Sequence, residues 1–443
     1  MSWLDENPDI HNIRVATPDL NGQARGKRIP ARFASKAESG GVRLPLSALN
    51  LDMWGEDIEA SPLLFESGDP DGVMKPTERG FVAMPWLEVS TAMLPISAYH
   101  EDGTPFAGDP RHALANVVGR LKARGLTAVV ATELEFYLVD DSDDELHVPR
   151  SPGSRKRRIG SEILSLQALD VWDAFFTELY DGCEAMDIPA DTAISEAGPG
   201  QFEINLMHQD DPLKAADDAW FFKLLVTGLA RKHGFAASFM AKPYPQASGN
   251  GMHTHFSLLD AEGKNIFDDG TAAGSDALRH AVAGCLKALP GCGLVFAPHG
   301  NSYERMVPGA HAPTGICWAY ENRTAAVRVP GGSPKARRIE HRVAGGDVNP
   351  YLSLAAILGA ALNGLEDAVD PVPPISGNAY DLDLPQIPAN WGDAITCFQN
   401  DPCVSRIFPK DLVRNMVLTK LQEMRKLEEL SRREQLALYL DSV

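Results

Sequence analysis

Four short segments of this chain place pairs of polar groups two residues apart inside otherwise apolar runs: TELEF (132 to 136), GQFEINL (200 to 206), MHTHF (252 to 256) and RRIEHR (337 to 342). In a strand, residues i and i+2 point to the same face. Glu133 therefore projects with Glu135, Glu203 with Asn205, His253 with His255, and Arg338 with Glu340 and Arg342. Strands of this kind laid side by side make a sheet with one carboxylate-rich face, to which Glu196 adds an acid just upstream of Glu203. Like charges that close suppress one another's ionisation, and divalent cations are the simplest remedy. Mg²⁺ and Mn²⁺ favour carboxylate and water ligands in octahedral geometry, so the pattern predicts a two-metal, oxygen-rich site.

The segments around these strands predict an α+β organisation. IRVATPDLNGQARGKRIP (13 to 30) reads as a hairpin turning at Asn21-Gly22. After Tyr99 the texture changes, and Asp109 as N-cap, Pro110 at the first helical position and Gly125 past the end frame a helix over 110 to 124. A chain of 443 residues exceeds the usual size of one core, and the boundary is expected near residue 105, giving domains 1–105 and 106–443.

In TAVVATELEFYLV (127 to 139), Ala128, Val130, Thr132, Leu134 and Phe136 form the packed face. Residues 140 to 160 are charged and read as an exposed loop, its RKRR patch offset by acids just upstream. A helix over 166 to 186 is expected to bury Leu166, Leu169, Trp172, Phe176, Leu179, Cys183 and Met186 as a core stripe. Further helices are expected from about 212 to His233-Gly234 and from Asn349-Pro350 to about Asn363. Residues 371 to 390 carry too much proline to be anything but a loop. No GxGxxG follows a strand, so a Rossmann reading has no support.

The net charge of -19 argues against a nucleic-acid partner. No apolar run reaches the ~18 residues of a membrane span, and the start, MSWLDENPD, has neither the basic nor the apolar region of a secretion signal. A cytoplasmic protein with no membrane partner is expected. Six cysteines without CxxC spacing read as free thiols rather than zinc ligands or a nucleophile.

Basic residues arrive late: Arg305, Arg323, Arg328, Lys335, Arg337, Arg338 and Arg342. Beside a carboxylate-metal cluster they suit phosphoryl transfer, in which metals bridge phosphates and guanidiniums take up the developing charge. The plainer alternative is that they pair with surface acids, a reading that the i, i+2 alignment of Arg338, Glu340 and Arg342 weakens.

The motifs DLNGQARGKRIP, FESGDPDGVMKP, MPW, ELEFYL, SEAGPGQFEINL, GMHTHFSL, NSYERMVPG, NRTAAVRVP and KARRIEHRVAGGDVNPYL together resemble the glutamine synthetase superfamily over essentially the whole chain. The resemblance implies a small N-terminal β-grasp domain and a larger catalytic domain with a curved antiparallel sheet flanked by helices. It also implies a homo-oligomer, typically a dodecamer of two stacked hexameric rings, with sites between subunits.

Carried over residue by residue, the resemblance assigns Glu135, Glu196 and Glu203 to the metal nearer glutamate. Glu133, His253 and Glu340 go to the metal nearer the ATP phosphates. Arg305 would hold the α-carboxylate of glutamate and Arg342 its γ-carboxylate, with Gly249 in the same pocket, while Arg323 would meet the phosphoryl group in flight. His255, Ser257, Arg328, Lys335 and Arg338 would surround ATP. The implied reaction is attack of the glutamate γ-carboxylate on ATP, giving an acyl phosphate that an amine captures.

Departures from the family pattern bear on the amine. Ammonia-using members continue after Val-Pro-Gly with Tyr-Glu-Ala-Pro, whereas this chain has Ala310-His311-Ala312-Pro313, with His311 at the Glu position. The family's Asp-Gly-Ser-Ser segment is missing, LPLSALNLDMWGED (44 to 57) standing there with Ser47 at the Asp position. Ser248-Gly249-Asn250-Gly251 differs as well. These changes resemble the glutamate-putrescine (γ-glutamylpolyamine) ligase branch. His311 is a candidate base toward an alkylammonium or else a hydrogen-bonding wall residue, and Asp52, Glu56 and Asp57 are candidates to meet a distal ammonium. The alternatives are glutamine synthesis from ammonia, ligation of another small alkylamine or ethanolamine, a non-catalytic relative, or a guanidino kinase. Tyr380, in NAYDLD, stands where some bacterial members carry an adenylylated tyrosine; its surroundings diverge, and it reads as an ordinary loop tyrosine.

Overall fold

The computed structural model describes every residue except 1, 2, 144, 153, 155, 158, 159, 161 and 311. After a short helix α1 (Trp3–Glu6), strands β1 (Asn12–Pro18) and β2 (Ala24–Pro30) form the expected antiparallel hairpin. Its loop, residues 19 to 23, is longer than a two-residue turn, with Gly22 at φ 81° and Asp19 accepting from the backbone N–H of Asn21 and Gln23. Helix α2 (Ala34–Glu38) and strands β3 (Val42–Pro45), β4 (Asp71–Pro76), β5 (Val82–Ala83) and β6 (Thr91–Tyr99) complete a six-stranded mixed sheet in the order β2-β1-β6-β4-β3, with β5 also on β6. The β1–β6 pair is parallel.

Strand periodicity gives this sheet two apolar faces. Ile13, Val15, Leu94, Ile96 and Ala98 belong to a small core of their own, while Ala16 and Met93 join the main core of the molecule.

Helix α3 (Pro110–Ala123) starts as the capping signals require, the Asp109 side chain accepting from Arg111 N. Strand β7 (Thr127–Val139) leads through helices α4 (Leu166–Asp170) and α5 (Asp173–Ala185) to β8 (Ala190–Ser195) and β9 (Gln201–Leu206). The single helix expected over 166 to 186 is thus two, broken at Val171-Trp172, and Leu166 is 75% exposed instead of lying in the core stripe. The break rotates the first turn away, since Ser165 starts α4 with its own side-chain cap to Ala168 N. Of the RKRR patch, Arg155 and Arg158 lie outside the described residues, and Arg157 pairs with Asp140 at 2.8 Å.

Helix α6 (Pro212–Lys232) precedes β10 (Ala236–Ser238) and β11 (Met252–Leu259). Helices α7 (Asp276–Phe296) and α8 (Ser302–Arg305) then lead to β12 (Trp318–Tyr320), β13 (Val327–Val329) and β14 (Ile339–His341). The second sheet runs β12-β13-β14-β11-β7-β9-β8, with β10 also on β7, and is antiparallel apart from the β12–β13 edge pair.

Helix α9 (Pro350–Asp367), capped by Asn349, extends one turn past the expected end and crosses α7 closely. A Cβ at Gly284 would lie 2.1 Å from the Ala360 carbonyl oxygen and one at Gly364 2.1 Å from that of His280, so only glycine admits this crossing. Helices α10 (Trp391–Asn400), α11 (Pro402–Ile407), α12 (Lys410–Leu427) and α13 (Arg432–Ser442) close the chain. All six cysteines are free, as expected. Among the described residues no helix is long and apolar enough to cross a membrane.

Candidate active site

The four polar strand segments are neighbours, in the order β14-β11-β7-β9. Their register places Glu135 opposite Glu203, Glu133 opposite both Asn205 and His253, and His255 opposite Glu340. The alternation of β7 explains why: its even-numbered residues are buried, leaving Glu133 and Glu135 on the other face. Carboxylates that are remote in sequence therefore meet by strand pairing alone.

Hydrogen bonds define each group. Glu133 meets His253 Nδ1 at 3.1 Å and His255 Nε2 at 2.9 Å through its two oxygens. Arg338 Nε donates to His255 Nδ1 at 3.2 Å, so His255 is held with its proton on Nε2, directed at Glu133. Glu135 accepts from Gly251 N at 2.8 Å, and Glu203 from Asn205 Nδ2 at 3.0 Å. Glu340, 1% exposed, lies between Arg328 (2.6 Å) and Arg342. Arg342 Nε donates to the Arg323 carbonyl, and buried Arg305 donates to the Val343 carbonyl at 2.8 Å.

The electrostatics divide the acids into two kinds. Burial opposes ionisation of Glu133, yet the hydrogen bonds from His253 and His255 hold its carboxyl well below the usual range. Glu340 is also burdened by burial but is held down by Arg342, the two histidines and Arg328. Burial and the charge of Glu135 push Glu196 up to about 7. Burial and the charges of Glu133, Glu135 and Glu196 push Glu203 up to about 9. Acids with too little positive charge nearby are what a cation site looks like from the protein's side.

Two compact groupings have ligand atoms within 4.8 Å of one another: Glu133–Glu203–His253 and Glu133–His255–Glu340. The division differs from the one the family resemblance implies. Glu133 is common to both and neither grouping includes Glu135 or Glu196, while His255, with Nδ1 accepting from Arg338 and its Nε2 proton facing Glu133, has no ring lone pair left for a cation in this arrangement. Each of those two has found a protein donor of its own, Glu135 at Gly251 N and Glu196 at Ala197 N. Each grouping pairs two carboxylates with a single imidazole, and the carboxylate-rich set suits Mg²⁺ or Mn²⁺.

Around this face, Ser257 follows His255 at i+2 on β11, Arg338 is half-buried, and Lys335 and Arg323 are exposed. Arg323 is close enough for its charge to act on Glu196. Arg337 turns away, donating to the Thr271 carbonyl at 3.1 Å. Gly249 packs on Arg305, and His311 lies outside the described residues. Asp52 is a correction: it does not line the site within this chain, being fully buried against Gln422 (2.9 Å) and Lys426 (2.7 Å) on α12. Glu56 pairs with the same Lys426, Asp57 is exposed, and Ser47 is buried.

Gln201 was not identifiable as a site residue from its type alone. Its amide donates to the Gly249 carbonyl and to Asn250 Oδ1, both at 3.0 Å, and its oxygen accepts from Gly198 N. It thereby ties the β8–β9 turn to the glycine-rich segment. Its neighbour in GQFE, Glu203, was the only available signal. His208, whose ring lies 6.4 Å from that of His255, carried no pattern at all.

Comparison with known proteins agrees with this geometry. Residues 107–439 match the family model described as glutamine synthetase, catalytic domain. The gamma-glutamylputrescine synthetase PuuA of Escherichia coli (strain K12) is 37% identical over 403 residues, covering 90% of this chain and 85% of that protein. The gamma-glutamylethanolamide synthetase GlnA4 of Streptomyces coelicolor is 34% identical, covering 93% and 89%. A solved structure of GmaS without ligand superposes with a TM-score of 0.84 at 27% identity, covering 98% of this chain and 97% of the other. The chain belongs to the glutamine synthetase family of ligases.

Proposed function

We propose that this enzyme joins the γ-carboxylate of glutamate to an alkylamine in an ATP-dependent reaction that passes through γ-glutamyl phosphate, with putrescine the first candidate amine. The observation that carries the reading is the in-register carboxylate face of β7, β9, β11 and β14 with Arg328, Arg338 and Arg342 against it. Relatives named for putrescine and ethanolamine as acyl acceptors support an amine larger than ammonia. So does His311 in place of the acid that clasps ammonium in ammonia-using members.

Glu133, Glu135, Glu196, Glu203, His253 and Glu340 would hold Mg²⁺ or Mn²⁺, which when bound offsets the charge of the ATP phosphates. In this reading Arg305 orients glutamate through its α-carboxylate, and Arg342 aims the γ-carboxylate. Arg323 stabilises charge on the transferring phosphoryl group, and His255, Ser257, Arg328, Lys335 and Arg338 position the nucleotide. The amine nitrogen then attacks the acyl carbon, the bond to the phosphate oxygen breaks, and His311 takes the proton the amine loses. Domains 1–105 and 106–443, the dodecamer of stacked hexamers and a cytoplasmic location belong to the same reading.

The test is glutamate-dependent phosphate release with putrescine, ethanolamine, monoamines and ammonium compared side by side. Putrescine is expected to give the highest kcat/KM. Saturation by ammonium at low millimolar levels or below would identify a glutamine synthetase instead. His311→Ala should impair alkylamine use while sparing transfer to hydroxylamine.

A further inference from the structure

The face that carries the carboxylates continues one row beyond them. Tyr137 and Gln201 are cross-strand partners on β7 and β9, two residues after Glu135 and two before Glu203, so their side chains share the face of those acids. Both are buried, and both reach the glycine-rich segment. The Tyr137 hydroxyl donates to the Ser248 carbonyl oxygen at 2.7 Å, and the Gln201 amide donates to the next carbonyl, that of Gly249, and to Asn250 Oδ1, each at 3.0 Å. The other end of the row faces the turn between β8 and β9. Gln201 accepts there from Gly198 N, and a Cβ added at Gly198 would lie 1.8 Å from the Tyr137 hydroxyl oxygen. The same turn begins at Glu196, whose N–H donates to the Gln201 carbonyl at 2.9 Å. One pair of side chains therefore fastens the glycine-rich segment to the turn that carries Glu196.

Buried carbonyls need donors wherever they occur, but these two belong to a segment that bears on the pocket proposed for glutamate. Gly249 is packed so closely on Arg305 that a Cβ there would lie 2.8 Å from Arg305 Cγ. Two residues on, Gly251 N donates to Glu135 at 2.8 Å. A shift of this segment acts on the arginine and on the carboxylate together. The residues proposed for ATP stand elsewhere, on β11, β13 and the turn before β14. We propose that Tyr137 and Gln201 are positioning residues that set the affinity for glutamate, by fixing Gly249 against Arg305 and Gly251 against Glu135. This rests on the γ-glutamyl ligase reading.

Tyr137→Phe removes one hydroxyl, and Gln201→Met keeps the length of the side chain while removing its hydrogen bonds. With ATP and putrescine saturating, KM for glutamate is expected to rise roughly three- to tenfold in each variant. KM for ATP should stay within about twofold of the parent and kcat within about threefold. Binding can be read without turnover from the thermal shift that glutamate produces in the presence of Mg²⁺ and ADP, and the half-saturating glutamate concentration should rise by the same factor as KM. The double variant should lose less than the product of the two single losses, because both side chains act on one segment. Tyr137→Phe carries the comparison alone if Gln201→Met fails to fold. Folded variants with parental glutamate KM and parental half-saturation would overturn the assignment. So would an ATP KM that rises as far as that for glutamate, which would reduce the pair to general support of the sheet. A double variant that loses the full product would overturn the claim of a shared segment. Absence of glutamate-dependent phosphate release with every amine in the parent would instead overturn the ligase reading beneath it.

Discussion

Gly249→Ala offers a sharp test of the glutamate pocket, because its effect can be worked out from steric contacts alone. A Cβ added at 249 would lie 2.4 Å from the Ala241 carbonyl oxygen, 2.8 Å from Arg305 Cγ and 3.0 Å from Arg305 Cδ. The first contact is with backbone and cannot be relieved by a rotamer change. The other two press on the stem of the arginine proposed to hold the α-carboxylate. The φ of Gly249 lies outside the left-handed region, so the penalty is crowding rather than backbone strain.

Overpacking of this kind costs about 1–3 kcal/mol, and if it is relieved by displacing Arg305 the loss falls on glutamate binding, roughly 5- to 150-fold in KM. Steady-state phosphate release with glutamate varied at saturating ATP and putrescine measures it, with KM for ATP expected to stay within about twofold. A glutamate KM unchanged in a folded variant, or an ATP KM that moves as far, would refute the placement of Arg305 in the glutamate pocket.

Glu203→Gln couples metal, pH and stability. A carboxyl whose folded pKa is raised binds its proton more tightly folded than unfolded, so the folded state loses stability as pH climbs from the ordinary 4.5 toward about 9. Melting in EDTA should show the Gln variant gaining on the parent between pH 5.5 and 8.5, with Mn²⁺ raising the Tm of the parent more; a parallel pH dependence would contradict this. Arg323→Ala, at an exposed position, should leave Tm unchanged while reducing kcat by roughly 10²- to 10³-fold, as followed by phosphate release; a loss below tenfold would remove Arg323 from the transferring phosphoryl group. Gly119→Ala, inside α3 with nothing within 4 Å of the added Cβ, should raise stability by about 0.5–1 kcal/mol in a denaturant titration, with unchanged turnover.

The site was legible where its geometry follows from period two. Glu133 and Glu135 share a face because the residues between them pack, and the partners on β9, β11 and β14 carry the same spacing. Helix ends were legible where a side chain caps them, as at Asp109 and Asn349. The misplacement of Leu166 shows the limit of periodicity, since an apolar residue at the right spacing becomes exposed when the helix breaks between it and its stripe. Pairings across hundreds of residues left no trace in the sequence. Asp52 looked available for an ammonium because nothing local showed that Lys426 and Gln422 occupy it. Gln201 and Tyr380 donate to backbone carbonyls, those of Gly249 and Ala312, and a carbonyl's need for a donor is invisible until the chain is folded.

The hairpin of β1 and β2 is secured by the far end of the chain. Lys420 and Glu423, both without exposed surface, bind each other at 2.8 Å; Glu423 also accepts from Asn21 Nδ2 at 2.7 Å and from Met53 N at 3.0 Å. At 5–20 residues per second the ribosome needs roughly 20–80 s to travel from the first of these partners to the last. Throughout that interval the nascent amino-terminal sheet is an unfinished surface awaiting its closing clamp. A truncation that removes α12 should therefore leave the β1–β2 loop and Met53 without the buried partners that fix them, so that the loss is felt at the opposite end of the sequence.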